Sequence, residues 1–326
     1  MTSSVNVAVV GAGYWGTKII REYLAFSKRC PEVNVAGIVD CSKDRLTAVA
    51  RELSLPQNRL FTHHQQVIER RDINAVHIAT PNETHYPLAS EMLHSGKHVL
   101  LEKPMTLTSR EAFKLARLAE VNGSTLLVGH IFRFNNALRK AKKLLEEGTI
   151  GRPHYTKLQW TTLMPPPNDR NIIFDLAPHP VDIINYLFEE QPTQVYTSAR
   201  SYIRGKHDLE EMAFITLTIP EDITGLIMLS WMEHGPKIRN VSITGSKGTI
   251  CVDALRQKVK LYKSQNLRKK IQVIPNNTIE AMIDHFADSI LCNESPNNSA
   301  LIGALTVTVL EAMIESLRKN IPIRVR

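Results

Sequence analysis

The sequence predicts an α/β protein: an N-terminal doubly wound parallel sheet followed by a C-terminal α+β domain with an open, mostly antiparallel sheet. Three observations carry that expectation. The first 130 residues alternate short β-branched runs with amphipathic helical patterns, as a parallel sheet with crossover helices does. A glycine-rich turn, GAGYWG, joins the first such run to the first helical pattern. Beyond Gly148 the texture changes to long alternating runs that succeed one another directly.

Taken in order, Val5 to Val10, Val33 to Val39, Ala75 to Ile78, His98 to Leu101 and Thr125 to Val128 are short apolar runs, each suited to a strand buried on both faces. Glu83 to Ser95 reads as a helix with Leu88, Ala89, Met92 and Leu93 on one stripe, Asn82 as its cap and Gly96 just past its end. That puts Thr80, Pro81 and Asn82 in a strand-to-helix loop. In the second half, Gln194 to Ile203, Glu211 to Ile219, Thr224 to Met232, Arg239 to Thr244 and Thr249 to Val252 read as an antiparallel sheet. Helices over Thr278 to Leu291 and Ser299 to Arg318 close the chain. The expected division is a dinucleotide-binding domain over 1–125 and a substrate-binding domain over 126–326.

Composition narrows the function classes. The net charge of +8 suits an anionic small molecule, nucleic acid or a membrane surface. The basic clusters at Arg139–Lys143 and Arg268–Lys270 lack interleaved aromatics, so solvated faces are expected and no nucleic-acid partner. The apolar runs, Ala300 to Leu310 among them, read as too short or too polar for the roughly 20 residues of a spanning helix. With no leader-like segment at the N-terminus, a cytoplasmic protein without a membrane partner is expected. The four cysteines form no CxxC pair, and no metal site is expected.

In Val10-Gly11-Ala-Gly13-Tyr14-Trp15-Gly16 the GxGxxG pattern lies directly after a strand and before a helix, the Rossmann context that makes it specific. Gly11 permits the tight turn, Gly13 lets backbone approach a pyrophosphate and Gly16 lets helix pack on strand. Asp40 ends the second strand where an acid can bind both ribose hydroxyls of an adenosine, which favours NAD over NADP. Lys43 and Arg45 follow it and could receive a 2′-phosphate instead, which the Asp40 carboxylate would repel.

Two further stretches carry chemistry. Leu101-Glu102-Lys103-Pro104 ends the fifth strand, at the sheet edge where open α/β folds bind ligands. The second, NIIFDLAPHPVDIINYL over 171–187, keeps Asp175, His179 and Asp182 in an apolar segment, at intervals of four and three that place all three on one helical face. Its prolines, Pro178 and Pro180, are compatible with a helix only in the first turn, where backbone N–H groups lack intrahelical partners anyway. Val181, Ile184 and Leu187 then face the core.

GAGYWG, Asp40, ATPNETH (79–85), LEKP and DLAPHPVD stand in the order and spacing of the Gfo/Idh/MocA oxidoreductases, which the chain resembles over nearly its whole length. The resemblance implies a Rossmann domain joined to an α+β domain whose open sheet makes the contact of a homodimer or homotetramer. It implies that Lys103 is the lysine of an EKP motif, that Asp175 and His179 are a D-x-x-x-H pair with Asp182 completing it, and that Thr80, Pro81, Asn82 and His85 line the cofactor, with Tyr14, Trp15 and Glu102 beside them. GYWG, GHIFRFN (129–135) and DLAPH are similar to the branch of UDP-N-acetylglucosamine and UDP-N-acetylglucosaminuronate 3-dehydrogenases; Asn136 departs from a proline common there.

The implied reaction is NAD-dependent oxidation of a sugar's secondary alcohol, with His179 as base, Lys103 polarising the hydroxyl, and Asp175 and Asp182 orienting substrate or imidazole. Arg133, Asn135 and Arg170 are candidate contacts to phosphate or substrate. The alternatives are a dehydrogenase or ketoreductase of a free sugar, inositol or deoxysugar nucleotide, and a non-catalytic NAD-binding regulator.

Overall fold

The computed structural model describes residues 4–168, 170–205, 209–294 and 296–326. The chain forms two compact units, Met1–Gly129 with Thr278–Ala304, and His130–Asn277 with Leu305–Arg326.

The first unit holds β1 (Val5–Val10), α1 (Tyr14–Ser27), β2 (Val33–Val39), α2 (Lys43–Leu53), β3 (Leu60–Phe61), α3 (Gln65–Ile68), β4 (Ala75–Ile78), α4 (His85–His94), β5 (His98–Leu101), α5 (Ser109–Val121) and β6 (Leu126–Val128). The strands form one parallel sheet in the order β3-β2-β1-β4-β5-β6. Val7, Ala8, Val9, Val76, Val99 and Leu100 are fully buried, as a sheet covered on both faces requires. Asn82 does not cap the following helix. It opens a 3₁₀ turn, Asn82–Thr84, closed by the Thr84 hydroxyl on the Pro81 carbonyl at 2.7 Å, and α4 begins only at His85.

The second unit holds α6 (Asn136–Glu146), β7 (Pro153–Thr161), α7 (Ile172–Leu176), α8 (Pro178–Phe188), β8 (Gln194–Arg200), β9 (Met212–Ile219), β10 (Ile223–Ser230), β11 (Ile238–Gly245), β12 (Gly248–Asp253), β13 (Lys258–Tyr262) and β14 (Arg268–Ile271). After these the chain makes α9 (Thr278–Leu291), α10 (Ala300–Lys319) and β15 (Ile323–Arg324). The nine-stranded sheet runs β14-β13-β12-β11-β7-β10-β9-β8-β15, antiparallel except where β7 meets β10. The sequence reading passed over β7, the strand at the sheet's centre. Its burial alternates, with Thr156, Leu158 and Trp160 inward, but Thr156 is polar and Tyr155 faces outward, so the apolar pattern in the sequence is weak. One sheet face, with Leu158, Trp160, Ile215, Ile227, Val241 and Ile243, shares a core with Ile172, Ile173, Val181 and Ile184 of α7 and α8.

Two elements differ from the sequence reading. Helix α9 falls in the first unit, outside a continuous 126–326 domain, because Ile279, Met282, Ile283 and Phe286 turn inward there and Glu280 pairs with Arg29 at 2.7 Å. The chain then reaches the edge of the first sheet, where Asn298 Nδ2 donates to the Val128 carbonyl at 2.6 Å. Helix α10, whose apolar run read as too short or too polar to span a membrane, has 20 residues with an 18-residue stretch of mean hydropathy 1.7, enough by length and composition. Its Ala304, Val307, Val309, Leu310 and Met313 are fully buried within the protein, which accounts for that hydropathy.

A buried ion pair fixes the segment ahead of α7. Glu211 has no exposed side-chain surface and accepts from the backbone N–H of Tyr202, Ile203 and Arg204 and from Arg204 Nε at 2.9 Å. Arg204 also donates to the carbonyls of Pro167, Arg170 and Leu209. Burial alone would raise the Glu211 carboxyl, but these donors outweigh it and hold the carboxyl below the ordinary range. Stability from a depressed carboxyl is fully present above the unfolded-state value and is lost as pH falls through the folded one. Glu211→Gln should therefore cost about 2–3 kcal/mol at pH 7 and lose part of the acid sensitivity, read as denaturation midpoints between about pH 7 and pH 3.

Candidate active site

The nucleotide end is built from close backbone approaches. Gly11 has φ +102°, and a Cβ there would stand 2.6 Å from the Ala79 carbonyl oxygen. A Cβ on Gly16 would meet the Gly11 carbonyl oxygen at 1.8 Å. Gly13 is different: it precedes α1 with φ −69°, and nothing lies within 4 Å of where its Cβ would be. That space, beside a helix start with no side-chain cap and no acid in its first turn, fits a dinucleotide pyrophosphate.

Asp40 is buried and already holds this loop. Its carboxylate accepts from Ala12 N at 2.8 Å and Ser42 N at 2.9 Å, with Arg45 Nη1 at 3.7 Å. Two carboxylate oxygens retain acceptor capacity beyond those bonds, so a ribose hydroxyl can be added to them. Tyr14 stands 91% exposed at the start of α1.

Around the fourth and fifth strands the predicted residues divide. Thr80 and Pro81 lie in the loop after β4, where Thr84 Oγ1 meets Thr80 Oγ1 at 2.7 Å. His85 is fully buried behind that loop, its Nδ1 2.8 Å from the Pro104 carbonyl and its Nε2 3.0 Å from the Thr80 carbonyl. Burial pushes its pKa below the ordinary histidine range despite those carbonyls, so the ring, lying between the Thr80 loop and the EKP turn, donates its single N–H to one of the two carbonyls and has no face for a cofactor. Glu102 is likewise buried, 3.2 Å from His77 Nε2. Burial raises its carboxyl, but His77 and the Lys103 ammonium more than offset this, so it stays ionised. Gly129 is a glycine because a Cβ there would stand 2.8 Å from that carboxylate. Lys103 follows, half-buried, before a cis peptide bond to Pro104.

In the second unit, the stretch 171–187 is two helices. Asn171 caps α7 by accepting from Phe174 N at 3.0 Å, and Asp175 lies on α7. Helix α8 starts at Pro178, with Pro178 and Pro180 in its first turn, so His179 sits at the helix start while Val181, Ile184 and Leu187 are buried. Arg170 Nη1 is 3.9 Å from Asp175 Oδ1. The His179 ring stands edge-on to Phe132, centroids 5.0 Å apart at 78°. Phe132 in turn meets Trp160 edge-on at 5.3 Å, and Arg239 lies over Trp160 at 5.7 Å.

Three expectations need correction here. Asp182 does not brace His179: its Oδ1 accepts from Arg133 Nε at 2.6 Å, with His130 Nδ1 at 4.0 Å. Arg133, expected at a phosphate, is buried and donates to Asp182 and Asn185. Asn135, expected at substrate, caps α6 through Ala137 N and Leu138 N and donates to the Ala254 carbonyl at 2.9 Å. The unusual Asn136 is explained too, since its N–H, which proline lacks, reaches Asn276 Oδ1 at 3.2 Å. Sequence reasoning missed Phe132, Trp160 and Arg239. Phe132 lay within the quoted GHIFRFN, whereas the other two sit on strands whose pairing was not visible. Among the described residues no group of three or more His, Cys, Asp or Glu side chains is arranged to hold a metal ion.

A glycine-lined dinucleotide fold and a separate sheet carrying a polar helix start define an NAD-dependent oxidoreductase class. Residues 5–130 match the model of the oxidoreductase family with NAD-binding Rossmann fold, GFO_IDH_MocA, and residues 138–251 match the GFO/IDH/MocA C-terminal domain. The chain belongs to the Gfo/Idh/MocA family. It is 26% identical to scyllo-inositol 2-dehydrogenase (NAD(+)) of Bacillus subtilis, over 99% of this chain and 97% of that protein. It is 29% identical to UDP-N-acetylglucosamine 3-dehydrogenase of Acidithiobacillus ferrooxidans, over 65% of this chain and 63% of that protein. A solved levoglucosan dehydrogenase in complex with NADH and levoglucosan shares the fold, at TM-score 0.88, 20% identity and 99% coverage of each chain.

The two glycines make separable predictions. Gly13→Ala fits its backbone and should melt like the native protein while NAD affinity drops about tenfold or more, read by calorimetric titration. Gly16→Ala should lower the melting temperature itself, because the clash is with backbone.

Proposed function

We propose that this protein oxidises a secondary alcohol of a nucleotide sugar, at C3 of a UDP-N-acetylhexosamine or its uronic acid, with NAD as acceptor. The observation that carries the reading is His179 at the start of α8, its ring set edge-on by Phe132 and Asp175 one short helix away. Bound NAD supplies the hydride acceptor. His179 takes the hydroxyl proton as the carbinol C–H bond gives up its electron pair, so an alcohol becomes a ketone and one proton is released through the imidazole. Among side chains, imidazole is the one whose reference charge change lies nearest neutrality, which suits a general base. Lys103 of the EKP motif is the cation that the family likeness assigns to stabilising a developing alkoxide. Asp175 orients a substrate hydroxyl, and Arg170 steadies Asp175.

In the first unit, Gly13, in the turn that Gly11 and Gly16 permit, admits the pyrophosphate, Asp40 holds the adenosine ribose, and Thr80, Pro81 and Asn82 the nicotinamide half. The UDP-sugar choice is supported by GYWG, GHIFRFN and DLAPH together with the Acidithiobacillus relative. Oxidation of an inositol or free sugar is the second reading, favoured by the near-complete coverage of the Bacillus relative. The protein would work in the cytoplasm as a homodimer or homotetramer through the open face of its second sheet, where Tyr155, Phe214 and Leu226 are exposed.

The test follows nicotinamide absorbance of the full-length protein with NAD and, separately, UDP-N-acetylglucosamine, UDP-N-acetylglucosaminuronate or myo-inositol. Reduction is expected with a UDP sugar, and Lys103→Ala should slow it about 10²–10⁴-fold with NAD affinity nearly unchanged. No reduction with any of the three would sink the proposal, and turnover only with myo-inositol would establish the second reading.

A further inference from the structure

One charge in the second unit is not accounted for by these assignments. Arg239 lies on β11 directly across from Trp160 of β7, and it alternates with Val241 and Ile243, so it faces the side of the sheet covered by α7 and α8. It is 94% buried by its 6% exposure, yet no carboxylate among the described residues lies within ion-pair distance. Its acceptors among those residues are the carbonyls of Thr161 at 3.1 Å and Ile238 at 2.7 Å, and both are served by Nη1. The Nε–H and Nη2 donors of a guanidinium remain, in the planar fork that matches a carboxylate or phosphate.

The surroundings point the same way. The Trp160 ring, 5.7 Å from the guanidinium, adds a cation–π contact and links Arg239 through Phe132 to His179. Burial pushes the arginine down to about 10, so it remains a cation at neutral pH, and the charge of Asp175 opposes that fall. Asp175 is the acid it feels, and Asp175 already has Arg170 at 3.9 Å. Among the described residues no carboxylate pairs with Arg239 at ion-pair distance, and a buried cation is stabilised by an anion placed against it.

We propose that Arg239 is a substrate-recognition residue, binding an oxyanion of the substrate, carboxylate or phosphate, beside the alcohol that is oxidised. This rests on the dehydrogenase reading above and adds to it the chemical class that the substrate must carry. Arg239 itself makes and breaks no bond, so its loss acts on substrate affinity.

The experiment compares wild type, Arg239→Met and Arg239→Lys, full-length and NAD-saturated, with UDP-N-acetylglucosaminuronate, UDP-N-acetylglucosamine and myo-inositol. For an oxyanion substrate, Arg239→Met should raise KM about 10–100-fold with little change in kcat or NAD affinity, and lysine should restore part of it. If the carboxylate is the partner, only the uronate suffers. If the diphosphate is, both UDP sugars suffer and the inositol does not. An equal loss with all three substrates, or none with any, overturns the proposal. Should Arg239→Met fail to fold, Arg239→Lys carries the test, since it keeps the charge and loses the fork: a KM rise confined to the oxyanion substrates supports the proposal, and equal or unchanged values overturn it. If wild type turns over none of the three, the dehydrogenase reading fails separately. The arginine is then judged by thermal shift with UDP and with D-glucuronate: stabilisation lost in Arg239→Lys supports an oxyanion site, and no stabilisation of wild type by either overturns it.

Discussion

The buried pair between Arg133 and Asp182 sets the orientation of α8, the helix that carries His179. Asp182 and Asn185 are one turn apart on α8, and a single guanidinium grips both while lying over Tyr186 at 5.5 Å. The helix therefore cannot roll without stranding two charges in an apolar core, which makes its rotation about its axis a high-energy event. Because Arg133 belongs to the turn Ile131–Phe134, the same grip brings Phe132 to the edge of the His179 ring. The imidazole proposed as the base is thus carried on a helix whose orientation a buried salt bridge holds.

The nucleotide end obeys a different constraint, backbone meeting backbone. Gly11 and Gly16 exist because carbonyl oxygens occupy the room a side chain would need, and Asp40 closes the loop by accepting from Ala12 and Ser42. Below it, the Glu102 carboxylate fills the space over Gly129 and draws charge from His77 and Lys103. The EKP turn is then anchored through the Pro104 carbonyl to His85, so a motif first read as a list of ligands is in part a frame that carries Lys103.

How much of this could be read in the sequence follows from which interactions are local. β1, β2, β4 and β5 were legible to the residue because burial on both faces leaves an unbroken apolar run, and the start of α8 was legible because proline permits a helix only there. The tertiary polar bonds were not. Arg133 and Asp182 are 49 positions apart, and nothing near either residue reports the other. Asn135 was a readable case, an asparagine immediately before a helical pattern, but the motif around it drew attention to ligands in place of capping. β7 escaped for want of apolar residues, and the allegiance of α9 to the first unit cannot be inferred from its position in the chain. Arg239 needed the register of β7 against β11, which only the folded sheet supplies.

The central claim is that α8 delivers His179 as the base for the substrate alcohol, and the pH dependence of kcat/KM tests it most directly. The wild-type protein should lose kcat/KM along an acidic limb as the imidazole becomes protonated, and His179→Asn should lack that limb while running about 10²–10⁴-fold slower at neutral pH. An acidic limb that persists unchanged in His179→Asn, or turnover that survives the substitution, would contradict the account.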